Sequence, residues 1–439
     1  MRHTPNILLL LTDDQRFDAL GALGNPCLHT PHMDALLNGG CSFDRCHIMG
    51  GTTGAVCCPS RAMLYTGRDL FQLTRHGGII PEQDILLGEH LGAHGYRCCG
   101  IGKWHNGPNA FQRSFTCGNE IFFGGMADHW QVPCHRYRAD GDYRPEHANA
   151  RKGPHSTTII AEAATDFLRH HESKTPFFCA VNFLAPHDPR TMPREYRDRQ
   201  LAALPPLPPN FMPRHPFDNG ELMIRDEMLA DMPRRPEQIR RHIAEYYAMI
   251  EHLDHAIGYI LSTLEDRGLA DNTIVALAGD NGLAVGQHGL MGKQNCYEHS
   301  MRVPLILRGP GVPTGARRTQ LCYLHDLFPT FCDLAGLPIP SSVSSQSLAP
   351  ALTEPAATHR QDLLLAYRDC QRAVSDGRYK LIRYLVDDQQ REQLFDLTAD
   401  PWEMHDLIDD PAHAQTRQTY AQRLDALRRQ HEPGLTEQA

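Results

Sequence analysis

The sequence predicts an α/β fold: a large, mostly parallel mixed sheet sandwiched by helices, then a small C-terminal antiparallel sheet with a covering helix. Three observations predict it. Apolar, β-prone runs alternate with stretches of helical periodicity along most of the 439 residues, the signature of an α/β sheet with helices on both faces. Those apolar runs are near-continuous rather than alternating, as expected of strands covered on both sides. Towards the C-terminus the pattern changes to short alternating strands closed by one helix.

Taken in order, "NILLLL" at 6–11 reads as the first strand and "YRCCGI" at 96–101 as a weaker one. "STTIIAEAATDFLRHH" reads as a helix capped by Ser156, and "PFFCAVNFL" places a strand at 177–184. Residues 200–236, with "ALPPLPPNFMPRHPF", form an extended excursion because proline and polar groups interrupt any period. A long helix follows over 236–266, where Ile239, Ile243, Tyr246, Ile250, Leu253, Ile257 and Leu261 recur at helical spacing, a core-packing stripe. "NTIVALAG" gives a strand at 273–278. A loop-like stretch at 337–359 divides the chain into a main α/β unit, 1–345, and a C-terminal unit, 346–439. The latter holds "DLLLAY", "RAVSDGRYKLIRYLV" and "QLFDLTADP", with a tight turn at Asp376–Gly377 and a last helix over 412–430.

Composition bounds the function. Apolar residues at 41% and charged residues at 22% fit a globular chain, and a net charge of −9 without a basic stretch argues against a nucleic-acid partner. No stretch reaches membrane-spanning length. The run at 7–11 is too short for a signal core, which points to the cytoplasm as the chain stands, or to the periplasm or secretion if a signal has been removed. The 14 cysteines show no C-x-x-C pair, so most are expected to be reduced core residues.

Function becomes legible where the strands end. The four apolar runs close on Thr12-Asp13-Asp14, on Lys103 and His105, on His187-Asp188, and on Asp280-Asn281-Gly282. In open α/β sheets ligands bind beyond the carboxyl ends of the strands. An acid after a strand often only caps a loop. Adjacent carboxylates repel, however, unless a cation lies between them. Asp13, Asp14, Asp280 and Asn281 form an all-oxygen set suited to Ca²⁺, or Mg²⁺. "CCPSRAMLYTG" adds a helix to about Thr66, with Pro59 in its first turn, Cys57 and Cys58 at its positive end and Arg61 beside them. With Lys103 and Lys293, such a site suits a tetrahedral oxyanion ester, sulfate or phosphate.

On these residues the chain resembles the formylglycine-dependent (type I) sulfatases of the alkaline-phosphatase superfamily. "CCPSRAMLYTG" matches their C-x-P-S-R signature, and "ILLLLTDDQ", "GIGKWH", "APHDP", "GDNG", "GQHGLMGK", "EHSMRVPLILRGPGV" and "QLFDLTADPWEMHDL" follow in the family's order. The resemblance implies that a separate formylglycine-generating or anaerobic sulfatase-maturating enzyme oxidises Cys57 to an aldehyde, leaving Cys58 in the variable position. One hydroxyl of the hydrated aldehyde attacks sulfur; the other is deprotonated and expels sulfate. It further implies that Asp13, Asp14, Asp280 and Asn281, with the converted residue 57, ligand one Ca²⁺. Arg61 and Lys103 then stabilise the hydrate, His105 acts as base, and His187 with Lys293 holds sulfate and protonates the leaving alcohol. His288, Asp188, Arg190, Asp128, His129 and Trp130 are candidate substrate contacts; loop capping and local packing explain them equally well. The implied substrate is a sulfated carbohydrate, and the sequence leaves a homo-oligomer open. The competing readings are a phosphonate or phosphate ester hydrolase of the same superfamily, a non-catalytic sulfated-glycan binder, and a redox protein, which would need the C-x-x-C motifs that are absent.

Overall fold

The computed structural model describes residues 4–150, 152–172 and 174–432. Its main sheet has eight strands: Asn6–Thr12 (β1), Cys41–Phe43 (β2), Arg97–Lys103 (β3), Cys117–Phe122 (β4), Phe177–Asn182 (β5), Thr273–Gly279 (β6), Leu305–Arg308 (β7) and Ala316–Arg318 (β8). The order is β8-β2-β7-β6-β1-β5-β3-β4. β1 lies parallel between β6 and β5, with Asn6 opposite Thr273 and Ile7 opposite Phe178. β3 continues the parallel run beside β5, and β4 beside β3. β7 runs antiparallel to both β6 and β2, which makes the sheet mixed. The four strands legible in the sequence, β6-β1-β5-β3, are therefore consecutive neighbours, and all their carboxyl ends lie at one edge.

Every residue of β1, β5 and β6 is buried, as near-continuous hydrophobicity requires. The pleat sorts β1 between two cores. Leu8 and Leu10 join Ile160, Ala164, Leu253 and Ile257, from helices Ser156–Arg169 (α2) and Pro236–Asp266 (α3). Ile7, Leu9 and Leu11 join Ala62 and Met63 of the helix Cys57–Thr66 (α1). The sandwich is thus α2 and α3 on one face and α1 on the other.

One expected cap is corrected. The N-cap of α2 is His155, whose Nδ1 accepts the Thr157 N–H at 3.2 Å. The imidazole offers an acceptor one residue earlier than Ser156, whose hydroxyl meets His129 at 2.6 Å.

The second sheet comprises Leu363–Tyr367 (β9), Gln371–Ser375 (β10), Tyr379–Val386 (β11) and Gln389–Asp396 (β12), an antiparallel meander covered by Ala414–His431 (α4). Its edge is extended by Gly50–Gly51, parallel to β9 and just ahead of α1. Among the described residues no helix is long and apolar enough to cross a membrane.

The excursion between residues 200 and 236 is mostly irregular and carries a short turn at Glu227–Leu229. It is pinned by the buried Glu227 carboxylate, which accepts the N–H groups of Met291 and Gly292, both at 2.9 Å, and the Arg234 guanidinium at 2.5 Å. That fastening lays the excursion against the loop that carries Lys293.

Candidate active site

The carboxyl ends of β1, β3, β5 and β6 deliver their polar residues to one buried centre. Asp13 and Asp14 leave β1, Asp14 in the left-handed region at φ 66. The Asp14 N–H donates to Asp280 Oδ1 at 3.1 Å, and the Asp280 N–H donates to the Thr12 carbonyl at 3.0 Å, so β1 and β6 stay tied beyond their last ladder pair. Asn281 Nδ2 donates to Asp14 Oδ1 at 2.6 Å. Asp13, Asp280 and Asn281 are fully buried and Asp14 nearly so.

Lys103 reaches this centre through an irregularity in β3. The register between β3 and β4 shifts between Ile101 and Lys103, and the intervening Gly102 has φ 83. A Cβ at Gly102 would lie 2.0 Å from the Asn182 carbonyl oxygen, so only glycine fits. Lys103 Nζ pairs with Asp13 Oδ2 and lies 3.6 Å from Cys57 Sγ.

Helix α1 brings the signature to the same place. Ser60 Oγ donates to the Asp280 carbonyl at 2.5 Å, Arg61 Nε to Asp280 Oδ2 at 2.8 Å and Arg61 Nη1 to the Lys103 carbonyl at 3.0 Å. Arg61 Nη2 is 3.4 Å from Asp13 Oδ2. Cys57, the first helical residue, points its Sγ to within 3.3 Å of His105 Nδ1. The Cys58 N–H is engaged by the Ala55 carbonyl at 3.0 Å and Pro59 has none, so the helix end offers fewer donors than the sequence suggests. The positive charge comes mainly from side chains. Cys58 Sγ faces elsewhere, 3.6 Å from the His105 carbonyl.

His187 closes the far side. Its Nε2 lies 3.7 Å from Asp14 Oδ2, and its Nδ1 lies 2.7 Å from the Asp188 carbonyl. A carbonyl only accepts, so the proton is on Nδ1. Lys293 Nζ donates to Asp14 Oδ1 at 2.5 Å.

The remaining sequence candidates lie apart from this cluster or already have partners. The Asp188 carboxylate is held by both terminal nitrogens of Arg225, at 2.5 and 2.9 Å. Arg190 Nη1 meets His242 Nδ1 at 2.8 Å, while its Nε and Nη2 are buried without a partner. Asp128 is exposed and accepts the Trp130 N–H at 3.0 Å. His129 is buried with both ring nitrogens engaged, by Ser156 Oγ and by the His187 carbonyl at 2.9 Å, and stacks on His155. Trp130 packs edge-on against His155. His288 stacks on Tyr297 with ring centroids 4.0 Å apart and meets Asn210 at 3.1 Å. Sequence reasoning missed Arg225, Ser60 and His242. Ser60 lay inside the signature, whereas Arg225 sits in a stretch whose sequence gives no period to place it.

Electrostatics sort the groups. Burial alone would raise the Asp13 carboxyl, but Lys103, His187, Arg61 and Lys293 hold it well below the usual carboxylate range. Burial and the Asp13 charge push Asp280 up, against Arg61. Burial, Lys103 and Arg61 push His105 down to about 3, so its ring is a neutral acceptor at neutral pH. Burial raises the Cys57 thiol despite Lys103, leaving it protonated and a poor nucleophile as it stands.

The donor set fits a hard cation. Asp13 Oδ1 and Asn281 Oδ1 are buried without a hydrogen-bond partner, and one ligand atom each from Asp13, Asp14 and His187, or from Asp13, Cys57 and Asp280, lie within 4.8 Å of one another. Three carboxylates face Arg61, Lys103 and Lys293, a neutral sum. A divalent cation on the orphaned oxygens would make the centre positive and receptive to an anionic ester.

Known proteins resemble the chain along nearly its whole length. The family model described as Sulfatase matches residues 5–337, and the one described as N-sulphoglucosamine sulphohydrolase, C-terminal, matches residues 286–430. The chain is 25% identical over 512 residues to an N-acetylglucosamine-6-O-sulfatase of Bacteroides thetaiotaomicron, covering 97% of this chain and 87% of that one. A structure of a protein in complex with its substrate D-glucosamine-2-N,6-O-disulfate superposes with TM-score 0.82 at 23% identity, covering 99% of both chains. The phosphonate monoester hydrolase of Agrobacterium radiobacter superposes with TM-score 0.73 at 22% identity, covering 97% of this chain and 96% of that one.

Proposed function

Because the chain belongs to the sulfatase family, we propose that it hydrolyses an O-sulfate ester carried by a carbohydrate, with Cys57 converted to formylglycine and one Ca²⁺ held by Asp13, Asp14, Asp280 and Asn281. The observation that carries this reading is the orphaned pair of buried oxygens, Asp13 Oδ1 and Asn281 Oδ1, next to Cys57, Lys103 and Arg61. The relative named for N-acetylglucosamine-6-O-sulfate makes 6-O-sulfated hexosamines the first substrates to try.

When present, the cation supplies charge neutralisation for the ester oxygens, and the hydrated aldehyde at residue 57 supplies the nucleophilic oxygen. The chain's own residues do the rest. Lys103 and Arg61 are fixed by carboxylates on one side and offer positive charge to the group at position 57 on the other. His105, neutral and 3.3 Å from Cys57 Sγ, is placed to take a proton from an oxygen on that side chain. Lys293 and His187 flank Asp14 from the opposite side, where the ester's alcohol oxygen would depart. As imidazolium, His187 gives its Nε2 proton to that oxygen, and Nδ1–H stays on the Asp188 carbonyl.

A phosphonate or phosphate ester hydrolase is the second reading, favoured by the likeness to the phosphonate monoester hydrolase. Phosphate monoesters carry one more negative charge than sulfate monoesters, and the donors here form one oxygen-rich set. Release of sulfate from defined 6-O-sulfated hexosamines, by protein whose residue 57 is verified as aldehyde, tests the proposal. Turnover of matched phosphate esters with none of sulfate esters contradicts it.

A further inference from the structure

We propose that Arg225 is a positioning residue for His187: acting through Asp188, it aims the imidazole at the departing alcohol without touching the reacting atoms. This rests on the reading of His187 as the proton donor. The Asp188 carboxylate is buried and accepts both terminal nitrogens of Arg225, a fork-to-fork pair at 2.5 and 2.9 Å. Asp188 turns two acceptors towards His187 Nδ1, its backbone carbonyl at 2.7 Å and its Oδ1 at 3.5 Å. With the carboxylate occupied by Arg225, Nδ1–H settles on the carbonyl and Nε2 faces Asp14 Oδ2 at 3.7 Å. No other side chain among the described residues donates a hydrogen bond to the Asp188 carboxylate. Deprived of Arg225, that carboxylate would draw the nearest donor, Nδ1, and swing the ring off its line.

Arg225 is itself anchored. Its Nε donates to Asp226 Oδ1 at 3.1 Å, and Asp226 Oδ2 accepts Gln294 Nε2 at 2.7 Å. Gln294 Nε2 also donates to the Gly54 carbonyl at 3.0 Å, three residues before Cys57. The excursion thus straps the segment after β5, which bears the proton donor, to the segment that leads into α1, whose first residue is Cys57. In the step served, sulfur bonds to the attacking hydroxyl oxygen at residue 57, whose proton passes to His105 Nδ1, as the bond from sulfur to the alcohol breaks. The bonding pair goes to the alcohol oxygen, which takes the Nε2 proton of the imidazolium.

An acidic phenol departs with little help, whereas a sugar alcohol needs the proton. The test compares 4-nitrophenyl sulfate with a 6-O-sulfated hexosamine, using full-length protein with residue 57 verified as aldehyde. In Arg225→Ala, kcat on the sugar ester should fall about 30- to 300-fold with KM within about threefold, while kcat on the aryl ester falls less than about fivefold. Arg225→Lys, which keeps the charge but not the fork, should recover only part of the loss. A crystal structure of Arg225→Ala should show the His187 ring turned towards Asp188 Oδ1. Equal losses on both esters, a rise in KM alone (a substrate contact), or an unmoved ring would each overturn the proposal. A wild-type protein that turns over neither ester would contradict the sulfatase reading instead, and the ring geometry of the variant would still decide the role of Arg225.

Discussion

Cys57 and Cys58 share a helical turn and point into different surroundings. Cys57 faces Lys103, His105 and the carboxylate set, while Cys58 faces the His105 carbonyl and Asn106. Burial pushes the Cys58 thiol up to about 12, so it stays an inert, small core residue. Cys57→Ala should therefore lose at least about 1,000-fold in kcat, and Cys58→Ala should stay within about threefold, with a stability loss of about 1 kcal/mol. Steady-state rates and thermal melts check both, and comparable losses from the two would contradict the assignment. The carboxylates make a second prediction at this scale. Chelation should lower Tm and added Ca²⁺ restore it, since a cation at about 1,000 times its Kd stabilises by about 4 kcal/mol. Asp13→Asn should lose most of that response. A wild-type Tm indifferent to chelator would show that these carboxylates hold no cation.

At the scale of elements, the site depends on how strands end. The irregularity at Gly102 turns Lys103 inward, and a side chain there would collide with the Asn182 carbonyl. Gly102→Ala should cost roughly 3 kcal/mol or more, because it combines a positive-φ penalty with a backbone clash, and should reduce kcat with it. A variant with wild-type melting and rate would show that Lys103 needs no such bend. The same elements show what was readable beforehand. β1, β5 and β6 announce themselves because strands buried on both faces must be apolar throughout, and helix α3 because its stripe is long. β2, β4, β7 and β8 were not anticipated: β2, β7 and β8 have only three or four residues each and are held by pairing partners distant in the chain, and β4 reads Cys-Gly-Asn-Glu-Ile-Phe, with no apolar run to announce it. Arg225 was invisible for a related reason. Its role follows from where an irregular excursion is pinned by Glu227, not from a local period. The carboxylates at strand ends were legible because adjacent like charges demand a reason, whereas His129, a candidate substrate contact that local packing explains equally well, lies buried against Ser156.

For the molecule as a whole, buried histidines set the response to acid. Burial leads the causes that push His105, His129, His155, His215, His252 and His288 down to between about 2 and about 4. In the unfolded chain the same rings take up a proton near pH 6.5. Below that pH the unfolded state binds more protons than the folded one, so stability is fully present above about 6.5 and falls with pH down to the folded values. Each such ring removes about 1.4 kcal/mol per pH unit in that window. Thermal melts from pH 8 to pH 5 should show Tm falling steeply below about 6.5, and a Tm that rises on acidification would contradict the burial of these rings. Gly50–Gly51 joins the second sheet just ahead of α1 and so ties β9 to the segment that leads to Cys57. Whether this assembly cleaves sulfate esters is decided by kcat/KM on a matched pair of aryl sulfate and aryl phosphate, measured on protein whose residue 57 is shown by mass spectrometry to be the aldehyde. A sulfatase turns over the sulfate faster, by about 100-fold or more; faster turnover of the phosphate would contradict the assignment.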